Sequence, residues 1–209
     1  MSAVDYLRDP AEIYRRSFAT VEAEAALDHL PEALRPVAIR LIHACGMVDL
    51  APDLRATADA AEVGRAALAR GAPILCDCEM VAAGIIRRRL PSANPVRVTL
   101  NAVEVPALAE QLGTTRSAAA VELWRPEIAG AIVAIGNAPT ALFRLLERLD
   151  AGWPRPALIL GFPVGFVGAA ESKAALAADP RGIPFVTLLG RRGGSAMAAA
   201  AVNALAGPA

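Results

Sequence analysis

The sequence predicts an α/β fold, with a five-stranded parallel sheet, helices on both of its faces and an N-terminal helical segment. Two observations predict it. From Gly71 onward, short apolar runs alternate with helical stretches five times, whereas residues 1–70 carry helical patterns only. The runs are also apolar at consecutive positions, as in strands covered on both faces, and lack the in–out alternation of a sheet wet on one side. The clearest unit is residues 130–149. Residues 131–135 have the length and β-branched content of a strand, and residues 136–140 read as a turn. Beyond it Leu142, Leu145, Leu146 and Leu149 share one helical face, with Arg144, Glu147 and Arg148 opposite. Pro139 suits the first turn of that helix, where a missing N–H costs nothing. The free N–H groups there point beyond the strand's carboxyl end and favour an anion.

The elements follow in order. Asp9-Pro10 opens a first helix whose stripe is Tyr14, Phe18, Val21 and Ala25, and Leu30-Pro31 ends it. Ser17 lies beside that stripe. A second helix covers residues 36–45 and stops at Gly46. It is apolar at Val37, Ile39, Leu41 and Ile42, yet Arg40 and His43 share one of its surfaces at a spacing of three. A third helix covers residues 56–69. The first strand is residues 73–76, followed by Asp77-Cys78-Glu79-Met80 and a short helix ending near Gly84. The second strand, 96–100, leads to helices at 106–112 and 116–124, the latter capped by Thr114 or Thr115. Residues 131–135 form the third strand. The fourth, 157–160, opens a glycine-rich loop and a helix through Glu171 and Lys173. The fifth, 185–189, leads through Gly190-Arg191-Arg192-Gly193-Gly194-Ser195 into an Ala-rich last helix. In such sheets ligands bind beyond the carboxyl ends of the strands.

Composition narrows the function. A length of 209 residues suits one domain, residues 1–209. Formal charge is zero, which leaves no electrostatic footprint for nucleic acid. The longest uncharged runs, 128–143 and 156–170, are shorter than the roughly 20 residues of a membrane span, and residues 1–10 hold no apolar signal core. A cytoplasmic location is the expectation, and three cysteines suit a reducing compartment. His43-x-Cys45 and Cys76-x-Cys78 match no standard zinc spacing, so no metal site is expected.

Common motifs fail: G-x-G-x-x-G, G-K-[ST] and G-x-S-x-G are all missing. Ser195 reads locally as a helix N-cap, and Arg87-Arg88-Arg89 as a solvated end of an element. Arg116 falls in the first turn of a helix, where a cation opposes the dipole; it is either a solvent-facing Arg or the partner of a bound anion. His43 is either a satisfied core or capping histidine or a catalyst. Arg40 one turn earlier favours the second reading, because two cationic groups on an apolar surface are costly unless an anion faces them.

With these residues in view, the chain resembles the precorrin-8X methylmutase family from end to end. The resemblance is carried by Ile13-Tyr14 with Ser17-Phe18, by Ile42-His43-Ala44-Cys45-Gly46, and by residues 72–77 with Glu79-Met80-Val81. It continues in Thr115-Arg116-Ser117-Ala118-Ala119, in residues 134–142, in residues 161–173 and in Gly193-Gly194-Ser195-Ala196. It implies a flavodoxin-like three-layer fold with strand order 2-1-3-4-5, a homodimer with sites near the subunit interface, and no cofactor. It implies an isomerase that moves a methyl group from carbon 11 to carbon 12 of precorrin-8X, giving hydrogenobyrinate, in corrin ring biosynthesis. The family's catalytic histidine falls on His43, and substrate contacts fall on Ser17, Arg40, Arg116, Asn137 and Ser195. One departure is Ile86, where many relatives carry Thr. The chemistry fits: an intramolecular methyl shift needs no nucleophile, metal or redox partner, but a proton helps, and a helix C-terminus favours a protonated imidazole. The alternatives are a cobalt-precorrin-8 methylmutase, a non-catalytic tetrapyrrole carrier on the same fold, or a hydrolase using Ser195 or Cys78 with His43.

Overall fold

The structure, a computed structural model, describes residues 5–207. Residues 1–4 of the N-terminal stretch read above for a signal core lie outside the described residues.

The helices are α1 Pro10–Glu24, α2 Arg35–Cys45, α3 Ala60–Ala69, α4 Glu79–Gly84, α5 Val105–Leu112, α6 Arg116–Glu122, α7 Pro139–Asp150, α8 Ala169–Ala178 and α9 Ser195–Leu205. The strands are β1 Leu54–Ala56, β2 Ile74–Cys76, β3 Val96–Val98, β4 Ile132–Ile135, β5 Leu158–Gly161 and β6 Phe185–Leu188. They form one sheet in the order β1-β6-β5-β4-β2-β3.

Two expectations are corrected here. The sheet has six strands, not five, and its order therefore differs from 2-1-3-4-5. The N-terminal segment is not helical throughout, because β1 comes from it and pairs antiparallel with β6, Leu54 opposite Leu188. All other pairings are parallel. Three residues are too few for a period to show in the sequence; β1 exists because β6 offers it an edge and Leu54 is buried there. With residues 54–56 extended, α3 starts at Ala60, four residues later than its pattern suggested. Helix α1 likewise ends at Glu24, short of the Leu30-Pro31 break.

The strands show why their sequences are apolar throughout. Ile74, Cys76, Ile132, Ala134, Leu158 and Leu160 face a core shared with α2, α3, α4 and α9. Leu75, Val133, Ile135 and Ile159 face the opposite core, closed by α7, Trp124, Leu176 and Ile183. The inner strands β2, β4 and β5 thus alternate between two buried faces, whereas the edge strands β1 and β3 are only partly covered. The polar side of α7 does not simply meet water. Arg144 and Arg148 both donate to the Glu122 carboxylate at the end of α6, which ties the two helices together.

Candidate functional site

The His43 half of the site is built by α1 and α2. Helix α2 ends at Gly46, whose left-handed φ of 71° suits glycine, and whose N–H bonds the Ile42 carbonyl. Its inner positions 37–42 are buried, Arg40 among them at 9 % exposure. Helix α1 lays Tyr14, Ser17 and Phe18 over His43, their three- and four-residue spacing placing them on one face. The Ser17 hydroxyl lies 2.8 Å from His43 Nδ1. Two tautomers satisfy that bond; with Ser17 as donor, Nε2 carries the proton and points elsewhere. The Tyr14 and Phe18 rings each stand 5.2 Å from the imidazole centroid.

Arg40 is the unusual member. Its guanidinium lies 5.7 Å from the Tyr14 ring centroid and 6.0 Å from that of Phe18. Among the described residues, no carboxylate lies within ion-pair distance of it. Cation–π contact offsets part of the cost of burying a guanidinium, but a buried cation is ordinarily matched by an anion. Its charge also acts on His43. Burial first, and Arg40 second, hold the imidazole below its ordinary value. This corrects the expectation that the helix C-terminus would favour the protonated ring. Desolvation and a neighbouring cation both push the ring toward its neutral form in the free protein.

The second half lies at the carboxyl end of the sheet. Asp77 follows β2 and is 3 % exposed. Its Oδ1 accepts the Gly136 N–H at 3.0 Å, and its Oδ2 accepts those of Asn137 and Ala138 at 2.9 and 2.8 Å. The amides just ahead of α7 do bind an anion, as the sequence suggested, but that anion is the protein's own. The Asn137 side chain is left exposed in the loop. Thr115 caps α6 by accepting the Ala118 N–H, and its hydroxyl lies 2.8 Å from that of Thr140 in α7. Arg116 is exposed and donates to the Leu100 carbonyl and to Asn101 Oδ1, so its position in the first turn needs no ligand to explain it. Ser195 is not an N-cap: Gly194 holds that place, Ser195 is the first helical residue, and its hydroxyl lies 3.4 Å from Cys78 Sγ.

Ser17, Arg40 and His43 are thus gathered by direct contact. Arg116, Asn137 and Ser195 stand after β3, β4 and β6, and no hydrogen bond among the described residues joins them to the first group. The halves are joined by the packing of α2 on α9 and by Arg192. The arginine pairs with Asp49 at 2.8 Å and Asp53 at 2.9 Å, in the segment that follows α2. Sequence reasoning missed three buried polar groups near these loops. Asp77 had a signal, an acid immediately after a buried strand. Lys173 is wholly buried, donates from Nζ to the Arg192 carbonyl, and is pushed by burial down to about 8. Asn203 accepts the Ile86 N–H and donates to the Gly84 carbonyl, fixing the stretch after α4 where Ile86 stands. Arg87 and Arg88 are exposed. No cluster of three or more His, Cys, Asp or Glu occurs among the described residues, and no helix there is long and apolar enough to cross a membrane.

A mostly parallel α/β sheet with helix-opening loops at one end, and a serine-bound histidine beside a buried arginine, defines the class: an α/β protein of the kind that binds ligands beyond the carboxyl ends of its strands. Comparison with known proteins makes this specific. The family model for precorrin-8X methylmutase matches residues 12–207. A Pseudomonas aeruginosa protein named precorrin-8X methylmutase is 66% identical, covering 97% of this chain and 98% of its own length. A Sinorhizobium protein of the same name is 56% identical, over 100% and 99% of the two chains. The crystal structure of precorrin-8X methyl mutase from Thermus thermophilus superposes with a TM-score of 0.83 at 38% identity, over 93% of this chain and 95% of that one. The chain belongs to the precorrin-8X methylmutase family. It is therefore an isomerase of cobalamin biosynthesis, of the methyl-shifting kind.

Proposed function

We propose that this chain moves a methyl group from carbon 11 to carbon 12 of metal-free precorrin-8X, giving hydrogenobyrinate, with His43 as proton donor and acceptor. One observation carries the reading: Arg40 is buried beside His43 without a carboxylate partner among the described residues. A polycarboxylate tetrapyrrole supplies the missing anion. Burial and, second to it, Arg40 disfavour the charged imidazole; an acidic side chain of the substrate near Arg40 cancels the second of these and so raises the histidine's proton affinity when it is needed. The protonated imidazole then donates to the conjugated macrocycle while the bond from the methyl group to carbon 11 breaks and that to carbon 12 forms. The proton returns to His43 afterwards, so no atom is gained or lost. Ser17 holds the ring through Nδ1 and leaves Nε2 for the substrate. Arg116, Asn137 and Ser195 are assigned to the macrocycle's periphery.

Two relatives at 66% and 56% identity carry the metal-free substrate in their names, which supports that branch over the cobalt one. The test is to mix purified protein with precorrin-8X and follow the visible spectrum. Conversion to the hydrogenobyrinate spectrum is expected. Tight binding without conversion would make the chain a carrier, and conversion of cobalt-precorrin-8 alone would assign it to the other branch.

The proposal includes a homodimer with the pocket formed by both chains. In its support, Phe166 and Val167 after β5 are 84 % and 88 % exposed, and Met80 and Val103 after β2 and β3 are also exposed, all at the site's end of the sheet. A monomer by light scattering at micromolar concentration, with full activity, would contradict this. Residues 1–209 are taken as one folding unit, since β1 of the N-terminal segment is hydrogen-bonded to β6. A cytoplasmic location accompanies the biosynthetic role.

A further inference from the structure

We infer that Asp77 is a positioning residue for the methyl shift, acting through the backbone of the loop between β4 and α7; the inference rests on the methylmutase reading above. Its two carboxylate oxygens accept three successive N–H groups, of Gly136, Asn137 and Ala138. That grip fixes where Asn137 leaves the sheet and where α7 begins.

The clamp reaches the other two assigned periphery contacts as well. Gly136 lies against α9: a Cβ at this position would come within 2.7 Å of the Ser195 Cα, so only glycine allows the two segments to meet. Cys78, next to Asp77, lies 3.4 Å from the Ser195 hydroxyl. On the other side Thr140, in the first turn of α7, meets Thr115, the cap of α6, one residue before Arg116. Asn137, Ser195 and Arg116 come from three different connections; Asp77 bonds the first directly and reaches the other two through Gly136, Cys78 and the Thr140–Thr115 contact. A carboxylate is not the cheapest way to brace a loop. Burial raises its pKa, against the opposing effect of the three amides. What three charge-assisted bonds supply is a single loop geometry.

The test uses the full-length protein and Asp77→Asn. The amide keeps the shape but turns an NH2 group toward amide donors. Single-turnover conversion at saturating substrate should fall at least tenfold per folded molecule, with KM changing less, and the visible spectrum of bound hydrogenobyrinate should shift. A wild-type single-turnover rate and an unshifted spectrum, whatever the melting temperature, would reduce Asp77 to a structural brace. Thr140→Val provides a second route that does not depend on Asp77→Asn folding. It should loosen product binding severalfold, and adding it to Arg116→Ala should cost little more, because both act through one contact. Fully additive losses would break the proposed link. If wild-type protein converts substrate and both variants behave as wild type, this inference fails alone; if wild-type protein converts nothing, the methylmutase reading fails and takes this inference with it.

Discussion

Around His43 a buried guanidinium stands over ring faces and, among the described residues, has no ion-pair partner, whereas at the end of the sheet the comparable charged groups already have protein partners. Arg40 has Tyr14 and Phe18. Asp77 has three amides, and Arg116 has a carbonyl and an amide oxygen. The difference separates two tasks. A buried cation without a carboxylate beside it gains most from an incoming anion, so on the proposed reading the helical half is where substrate charge does most for binding and for proton affinity. The saturated half gains less from a ligand but holds its shape without one, which suits a rim that orients a large, rigid macrocycle.

The sharpest way to break this comparison is His43→Ala. The fold should survive, at a cost of about 1–3 kcal/mol in stability. Single-turnover conversion should drop on the order of 10²–10⁴-fold, the usual worth of a general acid. Measuring rate and melting together separates the two losses.

Arg40→Met comes next. Substrate affinity should weaken by about 1.5–3 kcal/mol, the worth of a charged hydrogen bond. The melting temperature of the free protein should stay level or rise, because an uncompensated buried charge is removed. A fall in both would mean that Arg40 has a stabilising partner in the free protein. Arg116→Ala should cost less, about 0.5–1.5 kcal/mol in affinity, since an exposed arginine with two neutral partners has less to gain. Equal losses at both arginines would erase the distinction between the halves.

The last expectation concerns Lys173 and bears on stability rather than on the site. Its ammonium titrates at about 8 in the fold, against 10.5 ordinarily. Between those values the unfolded chain binds more protons than the folded one, so this residue makes stability rise with pH across that window. Below it the cost of the buried charge is constant. Lys173→Met should remove the rise, visible as a change in the difference between the two denaturation curves from pH 8 to pH 10.5. The Cys76 thiol, raised by burial, works in the opposite sense above its ordinary value and is common to both proteins.

Much of this was legible in the sequence where local periodicity decides structure. The five parallel strands, the helix start at Asp9-Pro10, the stop at Gly46 and a threonine cap at 114 or 115 follow from patterns within a dozen residues, and the structure gives the cap to Thr115. β1 does not, because its reason for existing is the edge of β6, more than a hundred residues later. At the site, Arg40 and His43 stood out as cations on an apolar helix. Their family match added Ser17, and the hydrogen bond to His43 gives that residue a physical role. Arg116 drew notice for opposing a helix dipole, and the Asn101 contact now accounts for it. The three amides ahead of α7 invite a ligand on sequence grounds alone. Nothing nearby in the chain reveals that Asp77, some sixty residues earlier, fills them.

The most direct measurement is the titration of His43 itself, by NMR of protein with labelled histidine, free and then saturated with hydrogenobyrinate. In the free protein the His43 resonance should titrate below the ordinary histidine range, held there by burial and Arg40. With the polycarboxylate bound it should titrate higher, and binding near neutral pH should take up a proton. A bound value equal to or below the free one would contradict the central claim, because substrate charge would then do nothing to make His43 an acid.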